Sequence, residues 1–368
     1  MELVGLAFPV GIGIQTVMMV ALDSFHIPLT AVSMLLSTVL LTVLLIILQL
    51  KKKNSLYKWF KSCLKIDFSG INLLWALFIL ILIAVEVMNF AKCIYFPTFD
   101  RDSIAGFDLI GRAIAHEGVI SKLSLFNDPD CYEAARGAGS YISYTPLTQC
   151  SYAYVYMLGA ETSKIVNALH YLSFIFVFYG VIRRFVNPSL AAIATLFTFI
   201  TPEMIAFSSM SATNVLHAYY ASVGVLFFAA WYYKKEPTLL TVSCILLALN
   251  IWTRNEGIVF ILACCCIIAW QAIRLKQRAD IKRLVIFGVT CIALFILWTV
   301  YLKINSMEAE QVVILKPFWD SEKAGVIVSY LWMLLTTSQY YGLTFILFAI
   351  IFAINILNIV NGGGKWAF

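Results

Sequence analysis

"INLLWALFILILIAVEVMNFAKC", residues 71–93, runs straight into "IYFPTFDRDSIAGFDLIGRAIAHEG", residues 94–118, and this junction decides how the chain folds. The first stretch carries one acid, Glu86, and one base, Lys92, in an otherwise apolar run. At about 1.5 Å of rise per residue, a helix over such a run crosses the ~30 Å hydrocarbon core of a bilayer. The second stretch sets Asp100, Asp102, Asp108 and Glu117 just past its end. One helix therefore crosses a membrane and delivers a group of acids to one face.

The rest of the chain repeats the pattern. Of its 368 residues 61% are hydrophobic and 12% charged, with a mean hydropathy of +0.88. A soluble domain carries about a quarter charged residues. Further apolar runs lie at 4–22, 29–50, 163–182, 189–206, 213–232, 238–253, 256–273, 283–302 and 342–360. The expected fold class is all-α, a polytopic transmembrane helix bundle of about ten spans. The N-terminus, "MELVGLAFPVGIGIQTVMMVALDSF", has no basic leader and no small-residue cleavage site, and reads as a first span.

Charge sets the orientation. Basic clusters fall at Lys51, Lys52, Lys53, Lys58, Lys61 and Lys65, at Arg183 and Arg184, at Lys234 and Lys235, and at Arg274, Lys276, Arg278, Lys282 and Arg283. With a cytoplasmic N-terminus, the span order places every one of them on the cytoplasmic side. Asp100, Asp102, Asp108, Glu117, Asp128, Asp130, Glu133, Glu308, Glu310, Asp320 and Glu322 fall outside. The net charge of +6 is thus accounted for by topology and gives no reason to expect a nucleic-acid partner.

Three regions follow: 1–70, a helix pair with a basic linker; 71–302, the core, with an outer loop at 94–162; and 303–368, a second outer loop and last span. The outer loops hold "SIAGFDLIGRAIAHEG", "TPLTQCSYAYVYMLG" and "AGVIVSYLWMLL", too short to span, which read as amphipathic helices at the outer interface. In the first, Ile104, Phe107, Gly111, Ile114 and Ala115 form one side, Asp108 and Arg112 sit one turn apart, and Gly118 is placed to end the helix. The final "NGGGKWAF" starts what looks like another apolar run, as a truncated product would end; a short cytoplasmic tail is the alternative.

Several residues are candidates for chemistry. Asp100 and Asp102 read either as helix caps, with Asp102 ahead of Ser103, or as a base or metal ligand at the membrane face. Arg254 and Glu256 interrupt two apolar runs, either as a pair tying a hairpin or with Arg254 holding an anion such as a phosphate. Asn214 and the aromatic Tyr141 and Tyr144 are candidate substrate contacts. His217 reads as a packing residue, and Glu86 as a hydrogen-bond partner of a neighbouring helix. Cys244, Cys264, Cys265, Cys266 and Cys291 lack metal-ligand spacing, so no metal or other cofactor is expected. Cys131 and Cys150 share the outer loop and pair only if it faces an oxidising compartment. There is no Walker-type loop and no dinucleotide fingerprint.

The order of these elements resembles the GT-C glycosyltransferases that use polyprenyl-phosphate sugars, such as protein O-mannosyltransferases and lipid A aminoarabinose transferases. The likeness covers roughly 70–275. It runs from "FDRDSIAGF" and "AIAHEG" through "YTPL" and "KIVNALHYLSFIFVFYGVIRRF" to "TPEMIAFSSMSATN" and "TRNEG". The resemblance implies a multi-pass enzyme of the bacterial cytoplasmic membrane, its site facing outward, with Asp102 as general base and Asp100 beside it. It further implies donor-phosphate binding by Arg254, with Glu256, Asn214, Tyr144 and Tyr141 toward substrate. The expected partners are a polyprenyl-phosphate sugar, a hydroxyl acceptor and membrane lipids. Asn214 departs from the family, which carries an acid there. A transporter or flippase of lipid-linked sugars is the rival reading, and an assembly protein whose outer loops bind a partner is a third. Charges gathered in the outer loops rather than spread through the spans favour an enzyme.

Overall fold

The computed structural model describes residues 1–50, 72–127, 141, 144–275, 278–307, 320–341 and 344–361. The expectations placed on Lys51 to Lys65, Asp128, Asp130, Cys131, Glu133, Lys276, Glu308, Glu310 and the tail 362–368 lie outside the described residues.

Among the described residues the chain is helical, with no strand. The principal helices are α1 (Glu2–Ser24), α2 (Ala31–Leu50), α3 (Leu73–Tyr95), α4 (Asp108–Glu117), α5 (Leu147–Met157), α6 (Lys164–Ile182) and α7 (Pro188–Phe199). After them come α8 (Asn214–Lys234), α9 (Pro237–Thr253), α10 (Ile258–Leu275), α11 (Arg278–Ile304), α12 (Ser321–Thr336) and α13 (Thr344–Asn361). Among the described residues six stretches are long and apolar enough to cross a membrane: α1, α3, α6, α8, Asn255–Arg274 and Ile281–Ile304. The other four expected segments form shorter apolar helices, Ala31–Ile47, Pro188–Phe199, Pro237–Thr253 and Thr344–Ile354. The span expected over 189–206 is broken. Pro202 cannot continue the backbone hydrogen bonds, and Thr201 before it is extended (ψ 133°), so α7 stops at Phe199.

The core forms where α8 and α9 pack along each other and against α1. Tyr219, Tyr220 and Trp252 are fully buried there. Pro9 lies inside α1 and has no N–H to offer the Gly5 carbonyl one turn back; Tyr219 donates its hydroxyl to that oxygen at 2.8 Å. Tyr220 donates to Pro9 O at 2.7 Å, and Trp252 Nε1 to Thr16 Oγ1 at 3.0 Å. These three bonds fix α1 to the α8–α9 pair at successive levels.

The bundle has two chemically distinct ends. At one, Arg184 makes a two-pronged bond to Glu2 (2.6 and 2.5 Å), Lys234 lies over the Phe185 ring, and Lys235 donates to Gln271 at 3.2 Å. At the other, Leu29 N–H donates to Gly118 O at 2.8 Å, and Asp23 accepts the Ile120 and Ser121 N–H groups at 2.8 and 3.3 Å. The 95–118 stretch therefore sits opposite the basic end.

Two expectations about the outer loop need correcting. The helix over "TPLTQCSYAYVYMLG" does not lie on a surface: α5 buries Leu147 through Ala153 without a gap, against α1, α4 and α9. Its polar residues find partners inside, Thr148 with Thr213 at 2.9 Å and Gln149 Nε2 with Tyr141 O at 3.0 Å. Ile104, expected on the apolar side of the first segment, is 54% exposed. Residues Ser103–Phe107 form a π-helical turn, in which Asp108 N–H reaches back five residues to Ser103 O. The extra residue rotates Ile104 out of line with Phe107, Gly111 and Ile114, which are buried. Gly118 ends α4 as expected, at φ 70°, its N–H donating to Ile114 O at 2.9 Å. Unlike α5, α12 buries none of its residues.

Candidate active site

Of Asp100 and Asp102, the structure makes one a cap and leaves the other free of that role. Asp100, not Asp102, caps the turn: its Oδ2 accepts the Ser103 backbone N–H at 3.2 Å and the Ser103 hydroxyl at 3.3 Å. Asp102 makes no capping bond and is exposed. The Tyr141 hydroxyl donates to its Oδ1 at 2.6 Å. Burial, reinforced by the bond to Asp102 and its charge, pushes the Tyr141 phenol up to about 12. The phenol is therefore the proton donor of this pair at any ordinary pH.

From Tyr141 a continuous set of contacts leads to the hairpin between α9 and α10. Tyr141 and Tyr144 stack with centroids 6.0 Å apart, and the Arg254 guanidinium lies 5.8 Å from the Tyr144 ring centre. Arg254 ends α9 in an extended conformation (φ −152°, ψ 140°), so its side chain leaves the helix line. It pairs with Glu256 at 2.9 Å and reaches Asn214 Oδ1 at the long limit of 3.5 Å. The pair that ties the hairpin is thus formed, yet the Arg254 side chain retains 25% exposure. Asp102, Tyr141, Tyr144, Arg254, Asn214 and Glu256 form one connected group; Asp100 stands beside it as a cap. Chemically the group offers a carboxylate, an aromatic surface and a guanidinium in sequence along one face.

A buried network that sequence reasoning only touched holds this group in place. The spacing of Asp108 and Arg112 was legible and gives a 2.9 Å ion pair. What the spacing did not reveal is that Asp108 is buried and also accepts hydrogen bonds from Tyr156 (2.6 Å) and from the Ser163 hydroxyl. This joins α4 to α5 and to the start of α6. Ser163 carries it on to Ser211 at 2.7 Å, and beside Ser211 the Tyr152 hydroxyl lies 2.8 Å from Asn167 Oδ1 and 3.0 Å from Ala212 O, two residues before Asn214. Asp23, likewise missed, accepts from Tyr301 as well as from the 120–121 backbone. An acid near the end of an apolar helix was the one signal for it.

The remaining candidates sit apart. His217 packs edge-to-face on Phe260, in keeping with a packing role, although its Nδ1 has no partner among the described residues. Among the described residues Glu86 does not bond to a neighbouring helix; its carboxyl lies against Asn89 of its own helix, and Asn89 makes that contact instead, through Ser208 at 2.8 Å. Cys244, Cys264 and Cys291 are buried, and so is Cys150. Among the described residues no group of three or more His, Cys, Asp or Glu side chains is placed to hold a metal ion. Comparison of the chain with protein-family models, curated proteins and solved structures found no match.

Proposed function

We propose that the chain transfers a sugar from a polyprenyl-phosphate donor to a hydroxyl acceptor, at the membrane face that carries Asp102. The observation that supports this reading is the continuous line from the Asp102 carboxylate, across Tyr141 and Tyr144, to the Arg254 guanidinium. These are the groups an inverting transfer requires. The acceptor oxygen forms a bond to the anomeric carbon as the bond from that carbon to the phosphate oxygen breaks. The acceptor's proton passes to Asp102. The lipid phosphate departs with the electron pair, its growing charge met by Arg254. The exposed edges of the stacked tyrosines lie between the carboxylate and the guanidinium, where a sugar ring settles, and Glu256 and Asn214 hold the guanidinium in position.

The test is Asp102→Asn in membranes supplied with a panel of polyprenyl-phosphate sugars and hydroxyl acceptors. Loss of a general base costs about 10²–10⁴ in rate. Full turnover by Asp102→Asn would remove Asp102 from the mechanism. No transfer by the wild-type chain from any donor would remove the activity itself.

A further inference from the structure

We infer that Gly106 and Tyr141 form a seat that holds Asp102 by one carboxylate oxygen and leaves the other open, making Tyr141 a positioning residue for the base. The consequence for catalysis rests on the glycosyl-transfer reading; the seat itself does not.

Asp102 and Gly106 are four residues apart and so lie on one face of the helical turn. The Tyr141 ring lies across that face. A Cβ at Gly106 would sit 2.6–2.7 Å from three of its ring carbons, closer than any real side-chain contact. Only glycine allows the ring to lie there. The other sides of the ring are also occupied. Phe107 meets it edge-on at 5.2 Å, Tyr144 stacks on it at 6.0 Å, and Gln149 Nε2 holds its backbone carbonyl at 3.0 Å. A ring fixed on so many sides places its hydroxyl at one point, 2.6 Å from Asp102 Oδ1. Among the described residues Asp102 Oδ2 makes no hydrogen bond, so it is the oxygen left to take a proton.

The bond removes rotational freedom from an otherwise exposed carboxylate, directing Oδ2 outward. The other charged or titratable groups near it are Asp100 and Arg101 on its own turn, with Tyr144 and Arg254 beyond the Tyr141 ring.

The experiment measures modification of Asp102 by a water-soluble carbodiimide and an amine, in the full chain in lipid nanodiscs. Asp100 serves as the internal reference, quantified by mass spectrometry across the acid range. A carboxylate oxygen adds to the protonated carbodiimide and the amine then displaces the urea, so freeing the oxygen that Tyr141 holds raises labelling. Tyr141→Phe is expected to raise the Asp102-to-Asp100 ratio roughly three- to tenfold at a fixed pH, the effect of one hydrogen bond. Gly106→Ala is expected to match it by displacing the ring, and the double variant to exceed neither. An unchanged ratio in Tyr141→Phe overturns the seat, as does a folded Gly106→Ala that labels like wild type. Should Gly106→Ala not fold, Tyr141→Phe alone decides. Because labelling needs no substrate, failure of sugar transfer by the wild-type chain would count against the proposed activity and not against the seat.

Discussion

Replacing Asp108 with alanine is expected to destabilise the protein far more than replacing its ion-pair partner, Arg112. Asp108 has a 7% exposed side chain and accepts from Tyr156 at 2.6 Å, from Ser163 and from Arg112 at 2.9 Å. Removing it takes the charged acceptor from two hydroxyls, leaving Ser163 with Ser211 at 2.7 Å and Tyr156 with the Ser163 N–H at 3.1 Å. Hydrogen bonds to a charged acceptor contribute about 1.5–3 kcal/mol each, so Asp108→Ala should cost roughly 3–5 kcal/mol. Arg112 is different. Its side chain is 55% exposed and can return to water, so Arg112→Ala loses a screened ion pair and a contact over the Tyr156 ring at 4.8 Å. That loss amounts to about 1 kcal/mol. Asp108→Asn, which keeps one accepting oxygen, should fall between the two. Equilibrium unfolding of the three variants in mixed micelles checks the order. If Arg112→Ala proves as costly as Asp108→Ala, the ion pair rather than the buried hydroxyls stabilises the junction, and the reasoning is wrong.

Two further outcomes follow from buried or constrained groups. Glu86→Gln should leave thermal stability unchanged to within about 1 kcal/mol or raise it slightly, because among the described residues the carboxyl makes no bond to a neighbouring helix and glutamine can keep its contact with Asn89; a loss above about 2 kcal/mol would contradict that account. The Tyr141 phenol, pushed up to about 12 from its ordinary value of 10.0 by burial and by Asp102, favours the folded state while protonated. That contribution is complete below about pH 10 and fades as pH rises toward 12. The difference in ultraviolet absorbance between wild type and Tyr141→Phe should show one phenol ionising late, and in an Asp102→Asn background it should ionise earlier. An ordinary phenol titration in the wild type would contradict the contact.

The sequence by itself determined the helical bundle, because apolar runs of membrane length and the segregation of basic clusters are one-dimensional signals. It also determined the stop at Gly118 and the pairing of Asp108 with Arg112, since both depend on neighbours within one or two turns. It placed Asp100 and Asp102 at the mouth of a helix but left open whether either one caps it. Which acid caps depends on the π-helical turn at Ser103–Phe107, and no residue pattern announces that turn. Its reading of residues 145–159 as a surface helix failed because the partner of Thr148 is Thr213, 65 residues away, and the helix is covered by α1, α4 and α9. The contact of Tyr141 with Asp102, 39 residues away, and of Arg254 with Tyr144 and Asn214, required the packing of α4, α5, α8 and α9. Local spacing reports on what lies within a turn or two of the chain. Bringing a carboxylate, two rings and a guanidinium together is the work of burial between helices far apart in sequence, and only the tertiary structure decided it.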